Sequence, residues 1–567
     1  MVSITRPRWW PRRAEKTAAD SPARPRWRIV AAWVTTGLAS LLVLFALVAP
    51  NRIGHLTPGE FVRIPVEALV GAALLLFLPP RARVVVAVLI GAALGVLTIL
   101  KVVDMGFYRV LDRPFEPVGD WSLLGSAAEV VRLSVGRAGE VGAVVGAVAL
   151  AAAVLALMAL SVVRLSRLAV VHRTRTVRAV VALGLVWVLA AGLGLRLVPH
   201  VPLASDSAAA LAYDRARQVR ADLRDRREFG AKAAVDAFRD TPGEDLLTGL
   251  RGKDVILAFV ESYGRVAIED PAIAPGVNAV LDSAQRRLSA AGFAARSAFL
   301  TSPTAGGGSW LAHSTLLSGL WIHSQLLYRE LLTTDRLTLD GAFKRAGWRT
   351  VGVMPGTSRP WPDGKFYEYD KLYIGPDLGY KGPTFNFSSI PDQYTLEAFQ
   401  RLERANPKHP PLMAEIVLLS SHGPWAPLPK EVDWASVGDG SVFEGTRVSD
   451  GSPEDVLRDR ATASAAYGHS IEYSLQTLLS YVERYGDDNL VLVFLGDHQP
   501  APIVTGEGAS RDVPVTIVAR DPAVLAQISG WGWQDGLRPG TGAPVWRMDT
   551  FRDRFLTAFG QRAGSHP

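Results

Sequence analysis

Five apolar segments crowd the first two hundred residues: about Ile29–Val48, Ile64–Leu78, Val84–Val103, Val141–Val163 and Val177–Leu197. A helix that crosses a bilayer needs roughly twenty such residues. Nothing else restricts the fold as tightly, because in hydrocarbon every backbone polar group must be satisfied within the spanning element. Four segments meet the length. The second is short and carries Glu67, and its alternative reading is a buried hydrophobic hairpin of a soluble domain. The chain is 49% hydrophobic, and the excess lies in this part. It has no cysteine, which excludes disulfides, thiolate metal sites and cysteine nucleophiles.

Arginine placement predicts orientation. The N-terminal arm, residues 1–28, holds Arg6, Arg8, Arg12, Arg13, Lys16, Arg24, Arg26 and Arg28. The second-to-third connection has Arg81 and Arg83, and the fourth-to-fifth has Arg164, Arg167, Arg173, Arg175 and Arg178. The connections Asn51–Arg63 and Asp104–Glu140 are far less basic. By the positive-inside rule the arm is cytoplasmic, residues 29–198 form five spans, and the chain beyond the fifth span is extracytoplasmic. The arginines thereby account for the net charge of +7. No basic run is interleaved with aromatics, so nucleic acid is not an expected partner.

Asp104–Glu140 carries Phe107, Tyr108, Phe115 and Trp121 among charges, and reads either as an interfacial segment or as an ordinary exposed loop. Residues 199–249 read as a juxtamembrane connector. Within them Ser207–Asp240 has a helical pattern, with an apolar stripe of Ala212, Ala216, Val219 and Leu223 opposite Arg215, Arg217, Arg220, Asp222 and Arg224. Thr241-Pro242-Gly243 ends that helix.

Residues 250–567 change character. Short apolar runs at Val255–Val260, Thr350–Met354, Leu412–Leu419, Leu490–Leu495 and Val513–Val518 alternate with helical stretches near Asn278–Ala291, Thr338–Ala346, Tyr394–Arg404 and Ala461–Tyr485. This predicts an α/β sandwich with a mostly parallel sheet. Ligands collect beyond the carboxyl ends of such strands. There the sequence places Glu261 after the first run, Ser420-Ser421-His422-Gly423 after the third, and Asp497-His498 after Gly496. One Asp-His pair after a strand reads equally as a polar turn. Polar residues at three strand ends form a constellation that can supply oxygen and nitrogen to one divalent metal.

A further element is Gly306-Gly307-Gly308-Ser309, leading into an apolar helical stretch. Ser309 is expected at the helix N-cap, with the glycines leaving room for a phosphate at the helix N-terminus. An ordinary capping serine is the plain reading. A hydroxyl facing Glu261, Asp497 and His498 is also how a metal-activated nucleophile is built.

These motifs, in this order and after five apolar segments and a connecting helix, resemble the lipoteichoic acid synthase-like branch of the alkaline phosphatase/sulfatase superfamily, which includes the phosphoethanolamine transferases. The stretch Tyr467–Pro500 is the most specific part. The resemblance implies a multi-pass protein of a bacterial cell membrane with a sulfatase-like extracytoplasmic domain. It implies one divalent ion, typically manganese with zinc or magnesium as alternatives, held by Glu261, Ser309, Asp497 and His498, with Ser309 as nucleophile. His422 matches a substrate-pocket histidine and Trp361 an aromatic there, although a turn histidine and a packing tryptophan are their other readings.

Two departures stand out. Serine replaces the synthases' threonine, and their histidine and arginine around the Trp361 position are replaced near Met354 and Asp363. The implied reaction moves a phospho-headgroup, phosphoglycerol- or phosphoethanolamine-like, from a membrane phospholipid to an envelope glycan, polymer or lipid through a phosphoserine. A sulfatase-like or phosphodiesterase-like hydrolase is the alternative. Formylglycine chemistry lacks its motif, since Thr301-Ser302-Pro303-Thr304-Ala305 has neither the right first residue nor the arginine. A binding protein with a decayed site is the non-enzyme reading, and metal binding separates it from the others.

Overall fold

The computed structural model describes residues 26–198, 201–385, 390–447 and 452–561. The arm residues Arg6, Arg8, Arg12, Arg13, Lys16 and Arg24 lie outside the described residues. The chain divides into two units.

The first unit comprises residues up to Pro50, Leu56–Ile99 and Val145–Ala212. Its helices are α1 (Arg26–Val48), α2 (Val66–Phe77), most of α3 (Pro80–Leu111), the later part of α4 (Trp121–Val171) and α5 (Arg173–Leu193). Four of these, all but α2, are long and apolar enough to cross a membrane. Their outward side chains are apolar and exposed, among them Leu41, Val148, Leu150 and Leu189, as lipid-facing residues are. The second segment is different. α2 has 12 residues, a rise of about 18 Å against a hydrocarbon core of about 30 Å. Its last turn is closed by Arg83, which donates to the carbonyls of Leu75 and Leu78.

The second unit joins three pieces of chain: Asn51–His55, Leu100–Val144 and Tyr213–Pro567. Asp104 is fully buried where they meet. It accepts from Asn51 Nδ2 at 2.9 Å and from the Phe115 amide at 3.0 Å, and pairs with Arg215. The connection between α3 and α4 is therefore neither a free loop nor wholly irregular. Arg113 and Asp120 clamp its turn, and α4 begins at Trp121, with Gly136 (φ 82°) interrupting it. The helix α6 (Ser207–Ala234) ends earlier than Thr241, and its packed face differs from the sequence reading. Ala212, Ala216 and Leu223 are exposed, while Arg215 and Phe229 turn inward. The buried partner Asp104 outweighs a thin apolar stripe.

One packed unit cannot have a bilayer running through it. The α1–α2 connection, the α3–α4 connection and the C-terminal domain are thus expected on one side, which requires α2 to carry the chain back despite its length. Reporter fusions after Arg173 are expected to read cytoplasm and fusions after Asp240 the outside. The same side for both would remove α5 as a crossing, and the inverted pattern, outside after Arg173 and cytoplasm after Asp240, would remove α2.

Among the described residues the C-terminal domain holds a nine-stranded sheet. Its strands are β1 (Asp254–Val260), β2 (Ala294–Thr301), β3 (Arg349–Met354), β4 (Lys371–Ile374), β5 (Leu412–Leu418), β6 (Leu490–Gly496), β7 (Asp512–Ala519), β8 (Gln534–Asp535) and β9 (Val545–Arg547). The order is β8-β2-β7-β6-β1-β5-β3-β4, with β9 also on β2. The run β6-β1-β5-β3-β4 is parallel, and β7 pairs antiparallel with both β6 and β2. In β1, Ile256, Ala258 and Val260 face one helix layer, containing α7 (Ala274–Ala290), and Val255, Leu257 and Phe259 face the other, containing α8 (Ser309–Ser318). The long helix α9 (Arg460–Tyr485) lies in the first layer. Burial on both faces is why these central strands are apolar apart from Asp254 at the start of β1 and Glu415 inside β5, and the fold is an α/β sandwich. The three central strands β6, β1 and β5 end side by side, and the polar residues after them are brought to one place.

Candidate metal and nucleophile site

Glu261 directly follows β1, and its amide donates to the Leu418 carbonyl of β5 at 3.0 Å. Asp497 directly follows β6. Its Oδ1 accepts from the amides of Ser262 and His498, both at 2.8 Å, which leaves Oδ2 buried without a hydrogen-bond partner. Gly496 makes this approach feasible for a reason other than a tight turn. It ends β6 in the strand itself, and a Cβ there would lie 1.8 Å from the Tyr263 carbonyl oxygen. Any side chain would push Glu261 and Asp497 apart.

His498 donates Nδ1–H to the Gln499 carbonyl at 2.8 Å, which fixes the tautomer and leaves Nε2 turned to the acids. Nε2 lies 3.3 Å from Glu261 Oε1 and 3.6 Å from Asp497 Oδ2. Donor atoms of Glu261, Asp497 and His498 fall within 4.8 Å of one another, and all three residues are buried. Burial alone would raise the Glu261 carboxyl, but the adjacent His498 outweighs it and holds it below the ordinary range. Burial, then the Glu261 charge, pushes Asp497 above its ordinary range. Burial opposes a charge on His498, yet Asp497 and Glu261 overcome it and push the imidazole up to about 9.

Ser309 is not the N-cap. Gly308 holds that position in the left-handed region, and Ser309 is the first helical residue with no side-chain cap bond at this helix. Its hydroxyl is directed elsewhere. It donates to Glu261 Oε2 at 2.9 Å and lies 3.2 Å from His498 Nε2. The glycines before it also serve a purpose that the local pattern does not carry. A Cβ on Gly306 would meet the Val110 carbonyl oxygen at 1.9 Å, so the loop is stripped of side chains to admit the end of α3.

Beside this group opens a pocket of about 470 Å³, the size of an ordinary small-molecule site. His422 and Trp361 both line it. His422 donates Nδ1–H to the Gly423 carbonyl at 2.7 Å. Trp361 is half-buried and stacked on Tyr367 at 5.7 Å between centroids, so it packs and lines at once. The residues before His422 are structural: Ser421 Oγ donates to the Glu261 carbonyl at 2.6 Å, and Ser420 Oγ accepts from the Asp392 amide. Among the pocket's other lining groups are Ser122 and Tyr328, which sequence reasoning did not single out, and Asp363, which it noted only as the place of a departure. Ser122 comes from the start of α4, Tyr328 lies past α8, and Asp363 accepts from the Tyr328 hydroxyl at 3.0 Å. No lysine or arginine is among the described residues lining the pocket.

No family model and no curated protein sequence matches the chain. It is similar to a number of solved structures, among them the following. The lipoteichoic acid synthase LtaP of Listeria monocytogenes is 16% identical over 56% of this chain and 74% of that one, with a TM-score of 0.38. The phosphoglycerol transferase GacH of Streptococcus pyogenes, in complex with sn-glycerol-1-phosphate, is 13% identical over 60% and 82%, with a TM-score of 0.36. The zinc complex of the C-terminal periplasmic domain of EptC from Escherichia coli is 12% identical over 56% and 88%, with a TM-score of 0.35.

Proposed function

We propose that the chain is a membrane-bound, metal-dependent phosphotransferase that moves a phospho-headgroup from a phospholipid to an envelope glycan, polymer or lipid through a phosphoserine at Ser309. The observation that carries this reading is the direction of the Ser309 hydroxyl: it bonds Glu261 and approaches His498 instead of capping its own helix.

The donor set fits a divalent ion. Two carboxylates and an imidazole whose Nε2 is turned to them converge, and Asp497 Oδ2 has no hydrogen-bond partner among the described residues. Glu261, Asp497, His498 and Ser309 would hold it, and when bound it supplies the Lewis acidity that lowers the hydroxyl pKa and offsets phosphoryl charge. Manganese is the ion the sequence resemblance favours.

Ser309 Oγ attacks phosphorus, and the proton it gives up is the one the leaving diacylglycerol oxygen takes. The bond from phosphorus to the glycerol oxygen of diacylglycerol breaks, and diacylglycerol leaves with a proton. An acceptor hydroxyl then attacks the phosphoserine phosphorus and Ser309 is regenerated. His422 and Trp361 contact the headgroup from the pocket wall. With water as acceptor the same steps make a hydrolase. The purified full chain, incubated with manganese and headgroup-labelled phospholipids, is expected to release diacylglycerol. No release from any phospholipid would refute the lipid-donor reading.

The pocket wall favours one headgroup chemistry. Asp363 with the rings of Trp361, Tyr328 and Trp310, and no lysine or arginine among the described lining residues, suits an ammonium group by charge and by cation–π attraction. Phosphatidylethanolamine is expected to outcompete phosphatidylglycerol as donor, and Asp363→Asn to lower that preference about tenfold in competition assays. An unchanged ratio would remove Asp363 from recognition.

A further inference from the structure

One histidine at the edge of the site has no role in the reaction above. His313 lies four residues after Ser309 in α8, so both project from one face of the helix. Its ring is stacked on Phe259, with centroids 3.8 Å apart and planes 16° from parallel. Nδ1 lies 3.4 Å from Glu415 Oε1. Glu415 is buried in the middle of β5, and its other oxygen accepts from the Tyr369 hydroxyl. The remaining nitrogen, Nε2, is buried and has no hydrogen-bond partner. It faces Asp497 Oδ2 at 3.9 Å, and that oxygen has none either.

We infer that His313 is a ligand of the divalent cation held by Asp497. With Nδ1–H turned to the Glu415 carboxylate, Nε2 presents a lone pair to an anionic oxygen in a buried place. Two bare acceptors facing each other are unfavourable unless a cation lies between them. Metal–nitrogen and metal–oxygen bonds of about 2.0–2.2 Å sum to slightly more than the observed separation, so one ion can reach both atoms at a wide angle. A carboxylate orienting one ring nitrogen while the other meets the metal is the usual setting of a metal-bound histidine. Phe259 and Glu415 together fix the ring plane. The mixed nitrogen and oxygen set selects zinc- or manganese-like ions over magnesium, which prefers oxygen. This rests on the metal reading of Glu261, Asp497 and His498, and adds a ligand from a different element.

The test uses the full chain in detergent. X-ray absorption at the zinc edge counts imidazoles around the bound ion without any substitution, and two are expected, His498 and His313. In equilibrium dialysis His313→Gln is expected to weaken zinc and manganese binding at least tenfold, with magnesium binding changed much less, and to leave one imidazole in the absorption spectrum. Glu415→Gln, which only loosens the ring, should weaken binding by a smaller factor with two imidazoles retained. A wild-type protein that binds zinc through one imidazole, or a His313→Gln variant that binds it unchanged, overturns the inference while leaving the site reading intact. A wild-type protein that binds no metal overturns both.

Discussion

Ser309→Ala is expected to lower turnover by on the order of a thousandfold or more in a protein that remains folded. Losing a covalent nucleophile leaves only the contributions of metal and binding groups. A capping serine behaves differently, since its loss costs about 1 kcal/mol of stability and little activity. Because Gly308 takes the cap and the Ser309 side chain is directed to Glu261 and His498, alanine at this first helical position should disturb the helix little. Ser309→Thr retains the hydroxyl and is expected to keep measurable activity. A Ser309→Ala enzyme that turns over at the wild-type rate would end the phosphoserine mechanism.

The second large effect concerns the ion. Asp497→Asn or Glu261→Gln is expected to bring bound metal from about one ion per chain to near none, with the far-ultraviolet circular dichroism unchanged. Metal content unaffected in both variants would contradict the ligand assignment. The titration behaviour of the site adds a pH signature. Without a cation His498 titrates near 9, so at neutral pH it carries a proton that metal binding must expel. Affinity is therefore expected to rise about tenfold per pH unit as pH increases toward 9 and to level off above it. At acid pH the dependence steepens, because Asp497 is held above its ordinary range and takes up a second proton. A pH-independent affinity across neutral pH would mean that His498 is not displaced by the ion.

Much of this arrangement is legible in the residues alone, for a physical reason. Parallel strands buried on both faces are largely apolar, so β1, β5 and β6 announce themselves despite Glu415 inside β5, and the polar residues at their ends come with them. β2 escapes the same reading because Arg296 and Ser297 interrupt its alanine-rich run, and β4 has only four residues. The position of Ser309 relative to the cap turns on the conformation of Gly308, which three successive glycines leave open. His313 is one of several polar residues on an apolar helix, and only the strands behind it, β5 bearing Glu415 and β1 bearing Phe259, give it a direction. Ser122 enters the pocket from a segment far from the others in the chain, a proximity that no local pattern carries. Arg215 looks like a surface charge until Asp104 of a distant connection is seen to receive it.

The central claim is that phosphorus passes through Ser309. The most direct measurement traps the protein in turnover with manganese and a headgroup-labelled phospholipid, quenches it in acid and maps the label by mass spectrometry. The headgroup phosphate is expected on Ser309, in the peptide running from the glycine loop into α8, and none is expected in Ser309→Ala. Label on Thr304 or Ser314 instead, or turnover with no labelled peptide, would contradict that claim.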